Sequence, residues 1–177
     1  MKIALVSLSQ AWEDKDLNWK NCKDYIDRAS KANVELLIFP EMTLTGFSLN
    51  TEKNSENRSC SDTLARFKKK TKVSKIAIIF GMLVEESGYF YNKSFFISCK
   101  GVVIGEYSKI HTFSFAGEDV HIDSGEELVV VMYKGVCIGM SICYDLRFPE
   151  LYSALGKKSD LIINIANWPK KRFDHWA

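Results

Sequence analysis

The sequence predicts an α/β layered sandwich rather than a purely parallel, doubly wound sheet. Strand and helix patterns alternate over the first half of the chain, which favours parallel strands joined by crossovers. Two hairpin signals then interrupt that alternation, Cys99-Lys100-Gly101 and Lys134-Gly135, and hairpins make antiparallel neighbours. Several strand segments are also apolar at nearly every position, as expected of strands covered on both faces.

The elements follow in order. Lys2 to Ser9 is apolar enough for a buried strand. Between Trp12 and Ala32, Trp19, Cys22, Ile26 and Ala29 recur at helical spacing, with Lys20, Lys23, Asp27 and Lys31 on the other faces. Val34 to Phe39 is a second buried strand, stopped by Pro40, which has no amide proton for a ladder. Ser61-Asp62 offers an N-cap for a helix running to Val73. Strands are expected at Ile76 to Val84, Phe90 to Ser98, Val102 to Tyr107, Leu128 to Tyr133 and Val136 to Cys143. A helix should follow Pro149, then a strand from Leu161 to Ala166 closed by Asn167-Trp168-Pro169.

Bulk properties narrow the function. With 177 residues and no repeat, low-complexity tract or linker-like shift in composition, residues 1–177 read as one domain. An apolar fraction of 46% and a charged fraction of 26% suit a soluble globular protein. The basic runs Lys68-Lys69-Lys70 and Lys170-Lys171-Arg172 lack an aromatic stacking pattern, so they read as solvated surface and no nucleic-acid partner is expected. No run approaches the ~18 apolar residues of a membrane helix, and the amino terminus does not resemble a secretory leader. The five cysteines, odd in number and without a CxxC pair, read as free thiols in a reducing cytoplasm. His111, His121 and His175 fit no zinc-ligand spacing, so no metal is expected.

Chemistry concentrates at three strand ends. The strand through Leu36-Leu37-Ile38-Phe39 delivers Glu41, the one ending at Tyr107 delivers Lys109, and the one through Ile142 delivers Cys143. Singly, each has an ordinary explanation: Glu41 a cap or loop charge, Lys109 surface, Cys143 inert core like Cys137. Together they supply the parts of nucleophilic acyl transfer, because ligands gather at the carboxyl ends of strands in α/β sheets. A free thiol is mostly protonated at neutral pH and needs a base or a nearby cation. Glu41 can accept its proton, and Lys109 can stabilise both thiolate and oxyanion.

Phe39-Pro40-Glu41, Tyr107-Ser108-Lys109-Ile110-His111-Thr112-Phe113 and Cys143-Tyr144-Asp145-Leu146-Arg147-Phe148-Pro149-Glu150 resemble, in order, the three motifs of the nitrilase (carbon–nitrogen hydrolase) superfamily. Ala166-Asn167-Trp168-Pro169 is similar to that family's next strand. The resemblance implies a four-layer α-β-β-α sandwich, a Glu41-Lys109-Cys143 triad, no cofactor, and a homo-oligomer, a dimer in the complete family fold. It also implies a second glutamate soon after the lysine motif. Glu118 is at a fitting distance, with Asp119, Glu126 and Glu127 as rivals. His111 belongs to the lysine motif in the family, a supporting place rather than that of the base, although a thiol-peptidase-like Cys-His pair remains a competing reading.

Tyr144 to Phe148 are similar to the branch of omega-amidases and deaminated-glutathione amidases. In that branch Tyr144, Arg147 and Asn167 would contact the substrate. Arg147 offers a rigid fork of donors suited to a carboxylate, or else pairs with Asp145 or Glu150. The expected partner is therefore a small amide, foremost a dicarboxylic monoamide, with N-carbamoyl and simple aliphatic amides behind. Family chains continue beyond the Asn-Trp-Pro strand. The sequence is thus expected to be incomplete at its carboxyl end, with a helix begun near Arg172, and an inactive fragment or a non-catalytic binding protein are the competing classes.

Overall fold

The computed structural model describes residues 1–168; the helix expected near Arg172 and the stop at Pro169 lie outside the described residues. The described chain runs β1 (Ile3–Leu5), α1 (Lys15–Lys31), β2 (Leu36–Ile38), α2 (Thr51–Asn54), β3 (Glu56–Asn57), α3 (Asp62–Ser74), β4 (Ala77–Glu86), β5 (Tyr89–Ile97) and β6 (Val103–Ser108). It continues through α4 (Glu118–His121), β7 (Val130–Tyr133), β8 (Val136–Ile142), α5 (Pro149–Gly156) and β9 (Leu161–Ile165).

Two sheets result. The first has the order β1-β2-β4-β5-β6, parallel from β1 to β4 and antiparallel from β4 to β6, with β3 alongside the far end of β4. The second has the order β7-β8-β9, with β7 antiparallel and β9 parallel to β8. The predicted mixture of crossovers and hairpins is what forms.

Strand alternation builds the layers. In the first sheet, Leu37, Ile78, Phe80, Phe95 and Ile97 face α1 and α3, meeting Cys22, Ile26, Leu64 and Phe67. Their sequence neighbours Leu36, Ile38, Ile79 and Phe96 point the other way, onto Val131, Ile138, Met140, Ile142, Ile163 and Ile165 of the second sheet. Helix α5 covers the outer face of that sheet, where Leu155 packs over Gly139. The layers are helix, sheet, sheet, helix. Strands buried on both faces explain the near-continuous apolar runs.

Several boundaries shift. The first strand was expected from Lys2 to Ser9 but pairs only over Ile3–Leu5. One further ladder bond joins Val6 N–H to Ile38 O at 2.9 Å, after which the chain leaves the sheet so that Gln10 can reach the loop after β2. The helix expected from Trp12 starts at Lys15, behind an Asp14 N-cap whose carboxylate accepts from Leu17 N–H at 2.9 Å. Its inner face holds Asn18 in addition to Cys22, Ile26 and Ala29, while Trp19 is only half-buried. Asn18 is satisfied there by Ala11 and Leu44. Ser61 caps α3 as expected, accepting from Leu64 N–H at 3.0 Å. Strand β8 stops at Ile142, and Cys143 opens a 3₁₀ turn, Cys143–Arg147.

Gly81 sets how closely the first sheet approaches the loop after β2. A Cβ there would lie 2.8 Å from Met42 N, 2.9 Å from Ile165 Cδ1 and 3.0 Å from Glu41 Cα. Two of those three atoms are backbone and cannot swing aside. Gly81→Ala is therefore expected to lower stability by about 1–3 kcal/mol, the scale of overpacking a tight core, measured as a fall in the thermal unfolding midpoint. An unchanged midpoint would show that the loop yields freely.

Candidate active site

Four elements deliver the site. Glu41 follows β2 across Phe39 and Pro40, Lys109 is the residue after β6, Glu118 opens α4, and Cys143 is the residue after β8. Residues spread over a hundred positions converge because β2, β6 and β8 all end on the same side of the sandwich. The carboxyl ends of the strands form the site, as their polar endings predicted.

Glu41, Lys109 and Glu118 are fully buried. The Lys109 ammonium donates to Glu41 Oε1 at 3.1 Å and to Glu118 Oε2 at 2.8 Å. Burial opposes the charge on Lys109, but the two carboxylates and Cys143 outweigh it and hold its pKa above the ordinary lysine value. An ammonium has three N–H donors, so one remains for a ligand. The ring of Phe47 lies 5.5 Å from the nitrogen. The rivals Asp119, Glu126 and Glu127 are all exposed, which separates them from Glu118.

The backbone at Cys143 is strained, with φ at 45°. A β-to-3₁₀ corner in this region costs roughly 1–3 kcal/mol and persists only when neighbours enforce it. Asn164 does so from β9, accepting from Cys143 N–H at 2.6 Å and donating to Cys143 O at 3.3 Å. Asn164 is itself held by Tyr152 Oη at 2.7 Å. Below the corner, buried Asp145 accepts from Ile142 N–H at 2.9 Å and from Tyr107 Oη at 2.7 Å. Its other oxygen accepts from His111 N–H at 2.9 Å and sits 2.9 Å from His111 Nδ1. Asp145 thus ties the cysteine corner to the lysine loop.

That network settles His111. One ring nitrogen engages Asp145, and the imidazole stacks on Phe148 with centroids 3.5 Å apart. It is a supporting group, and the competing Cys-His reading is not what this geometry offers.

Burial pushes the Cys143 thiol up, the Glu41 carboxylate adds to the shift, and Lys109 opposes it less strongly. The resting sulfur is therefore protonated at neutral pH. A thiolate must form as its proton leaves, and Glu41 is the neighbouring acceptor.

A cavity of about 600 Å³ opens over Cys143, lined by Lys109, Tyr144 and Asn167 together with Trp12, Phe47, Phe113 and Trp168. Tyr144 and Asn167, both expected from the sequence to contact a substrate, line this cavity. Asn167 also reaches Glu41, its backbone N–H donating to Glu41 Oε2 at 3.0 Å. Arg147 lies at the surface. It forms no ion pair with Asp145 or Glu150 among the described residues, and it is not part of the cavity wall. Its guanidinium lies 5.9 Å from the Trp168 ring, exposed at the mouth.

Sequence reasoning missed Gln10 and Asn92. Gln10 Nε2 reaches the carbonyls of Glu41, Met42 and Thr43 at 3.3, 2.9 and 3.2 Å. Its Oε1 accepts from Asn167 Nδ2 at 2.6 Å. A polar residue just beyond an apolar strand was the available signal for Gln10. Asn92 carried no such signal.

The chain belongs to the carbon–nitrogen hydrolase family, whose match covers residues 2–177. It is 30% identical to an omega-amidase, YafV, of Yersinia enterocolitica over 99% of this chain. It is 29% identical to a 2-oxoglutaramate amidase of Bacillus subtilis over 90% of this chain. The chain spans 66% and 62% of the lengths of those two relatives. Among solved structures, a CN-hydrolase superfamily protein of Xanthomonas campestris with an arsenic adduct in its active site superposes with a TM-score of 0.88 at 27% identity. That match covers 98% of this chain and 67% of the other.

Proposed function

We propose that the protein hydrolyses the carbon–nitrogen bond of a small linear amide through a Cys143 thioester. The observation that carries this reading is the buried Glu41–Lys109–Glu118 cluster beside a strained cysteine at the floor of an open cavity. As Cys143 Sγ bonds to the amide carbonyl carbon, its proton passes to Glu41. The carbonyl oxygen becomes an oxyanion held by the third N–H of Lys109 and by the Tyr144 backbone N–H. The latter lies in the first turn of a helix, where no intrahelical acceptor exists, whereas Cys143 N–H is already engaged by Asn164. The carbon–nitrogen bond then breaks, and Glu41 returns the proton to the departing ammonia. Water, deprotonated by Glu41, attacks the thioester and releases the carboxylic acid and the free thiol.

The foremost substrate class is an omega-amide of a dicarboxylic acid. The names of the two amidases above and the Tyr144 to Phe148 segment support it. Arg147 at the mouth would engage a carboxylate only if the substrate spans the cavity past Trp168. The aromatic wall favours a second reading, an uncharged amide that makes no use of Arg147. Arg147→Met separates them: on a dicarboxylic monoamide kcat/KM should fall by about 10–100-fold, the worth of a charge-assisted hydrogen bond of ~1.5–3 kcal/mol, while short neutral amides should be unaffected. A panel of omega-amides, N-carbamoyl amines and neutral amides measures this. Equal rates on charged and neutral amides, unchanged by the substitution, would favour the uncharged substrate.

A further inference from the structure

We infer that Asn92 is a positioning residue that holds the Glu41 carboxylate in place for proton transfer from Cys143. Asn92 sits in the middle of β5, remote in sequence from Glu41, Lys109, Glu118 and Cys143, and is fully buried. Its side-chain nitrogen donates to Glu41 Oε1 at 2.7 Å and to Glu118 Oε1 at 3.0 Å. Lys109 joins the same two carboxylates from the other side. The four groups form a closed ring in which each carboxylate meets one ammonium and one amide. Asn92 also accepts from Lys109 N–H at 2.9 Å through its own backbone carbonyl, so one residue fixes the base and the root of the lysine together.

Two features favour a role beyond packing. An amide nitrogen carries two hydrogens in a fixed plane, which matches the two carboxylates and leaves no spare donor. The side-chain oxygen of Asn92, Oδ1, by contrast, is buried with no partner among the described residues. A buried orphan acceptor destabilises the fold, and turning the amide over would only point that oxygen at two carboxylates. The orientation is set by Glu41 and Glu118 at the expense of the amide's own satisfaction. Lys109 alone could not fix Glu41, because an ammonium on a flexible stem pivots, whereas a planar amide rooted in a central strand does not.

The inference rests on the reading of Glu41 as the proton acceptor, so the test compares two variants. Alkylation of Cys143 by iodoacetamide, followed by mass spectrometry of the peptide that carries Cys143 so that the other free cysteines do not count, needs no knowledge of the amide substrate. Glu41→Gln and Asn92→Leu should each slow the maximal alkylation rate by about 100-fold, the scale of a ~1 Å misplacement. The half-saturating reagent concentration should change less than threefold, and rates are referred to folded protein. Slow alkylation in Glu41→Gln with wild-type alkylation in folded Asn92→Leu would overturn the role of Asn92 alone. Fast alkylation in Glu41→Gln would overturn the reading of Glu41 and the inference with it. If Asn92→Leu does not fold, asparagine-selective nitrogen labelling of the wild-type protein decides. Both Asn92 side-chain protons should resonate downfield of ordinary amides, and ordinary shifts would overturn the ring.

Discussion

Cys143→Ala is expected to abolish turnover and to remove any covalent adduct detectable by mass spectrometry. The substitution deletes the atom that bonds to the acyl carbon, so what remains is the cavity, Lys109 and Glu41 acting on water. Removing the nucleophile from an integrated catalytic triad typically costs about a millionfold in kcat, and a loss on that scale is expected here. Folding should survive, because the backbone at Cys143 is held by Asn164 through main-chain atoms rather than through the thiol. The expected result is an inactive protein that still folds and unfolds cooperatively. A Cys143→Ala protein that still released ammonia at the normal rate would require another nucleophile.

The difference between what the sequence disclosed and what it concealed follows from geometry. Glu41, Lys109 and Cys143 were visible because each breaks an apolar run at the point where a strand leaves the core. A polar group there has few structural reasons to exist. Glu118 was visible only through the resemblance, since five acidic residues lie between 118 and 127 and burial is what sets Glu118 apart from the other four. Asn92 was concealed by its position. In β5 it lies between Tyr91 and Lys93, in a segment that tolerates polar residues, and its meaning depends on which strand ends lie beside it. The same holds for Asn18, a polar residue on the inner face of α1 whose partners Ala11 and Leu44 belong to separate loops. Periodicity registers the face a residue occupies, not the acceptor waiting there.

The layers were legible for a related reason. Two alternating faces that are both apolar require two covers, either helices on both sides or a helix layer and a second sheet; the hairpins pointed to a layered sandwich, and the four-layer order came from the resemblance. The Cys143–Arg147 corner was less legible, because it depends on contacts from β9 and from the lysine loop that close only in the folded state. Arg147 shows the limit most clearly. Its distance from the nucleophile in sequence suggested a carboxylate clamp, and the 3₁₀ turn places its guanidinium near Trp168, a position the sequence did not disclose.

Lys109→Met is expected to damage stability and chemistry together. Methionine fills a similar volume but removes the ammonium shared by two fully buried carboxylates. Breaking a buried ion pair by deleting one partner costs about 3–5 kcal/mol, because the other charge is left uncompensated. Losing one oxyanion donor costs a further factor of about 10²–10³ in kcat. The pH dependence distinguishes the ion pair from mere packing. The folded-state pKa of Lys109 is raised above its ordinary 10.5, so the charge contributes its full stabilisation at pH below that value. The contribution then declines as pH rises from 10.5 through the folded-state pKa. The stability gap between wild type and Lys109→Met, measured by denaturant titration, should thus be constant across neutral pH and narrow only in the alkaline range. A gap that failed to narrow above pH 10.5 would mean that Lys109 stabilises the fold by filling space, with its charge serving catalysis alone.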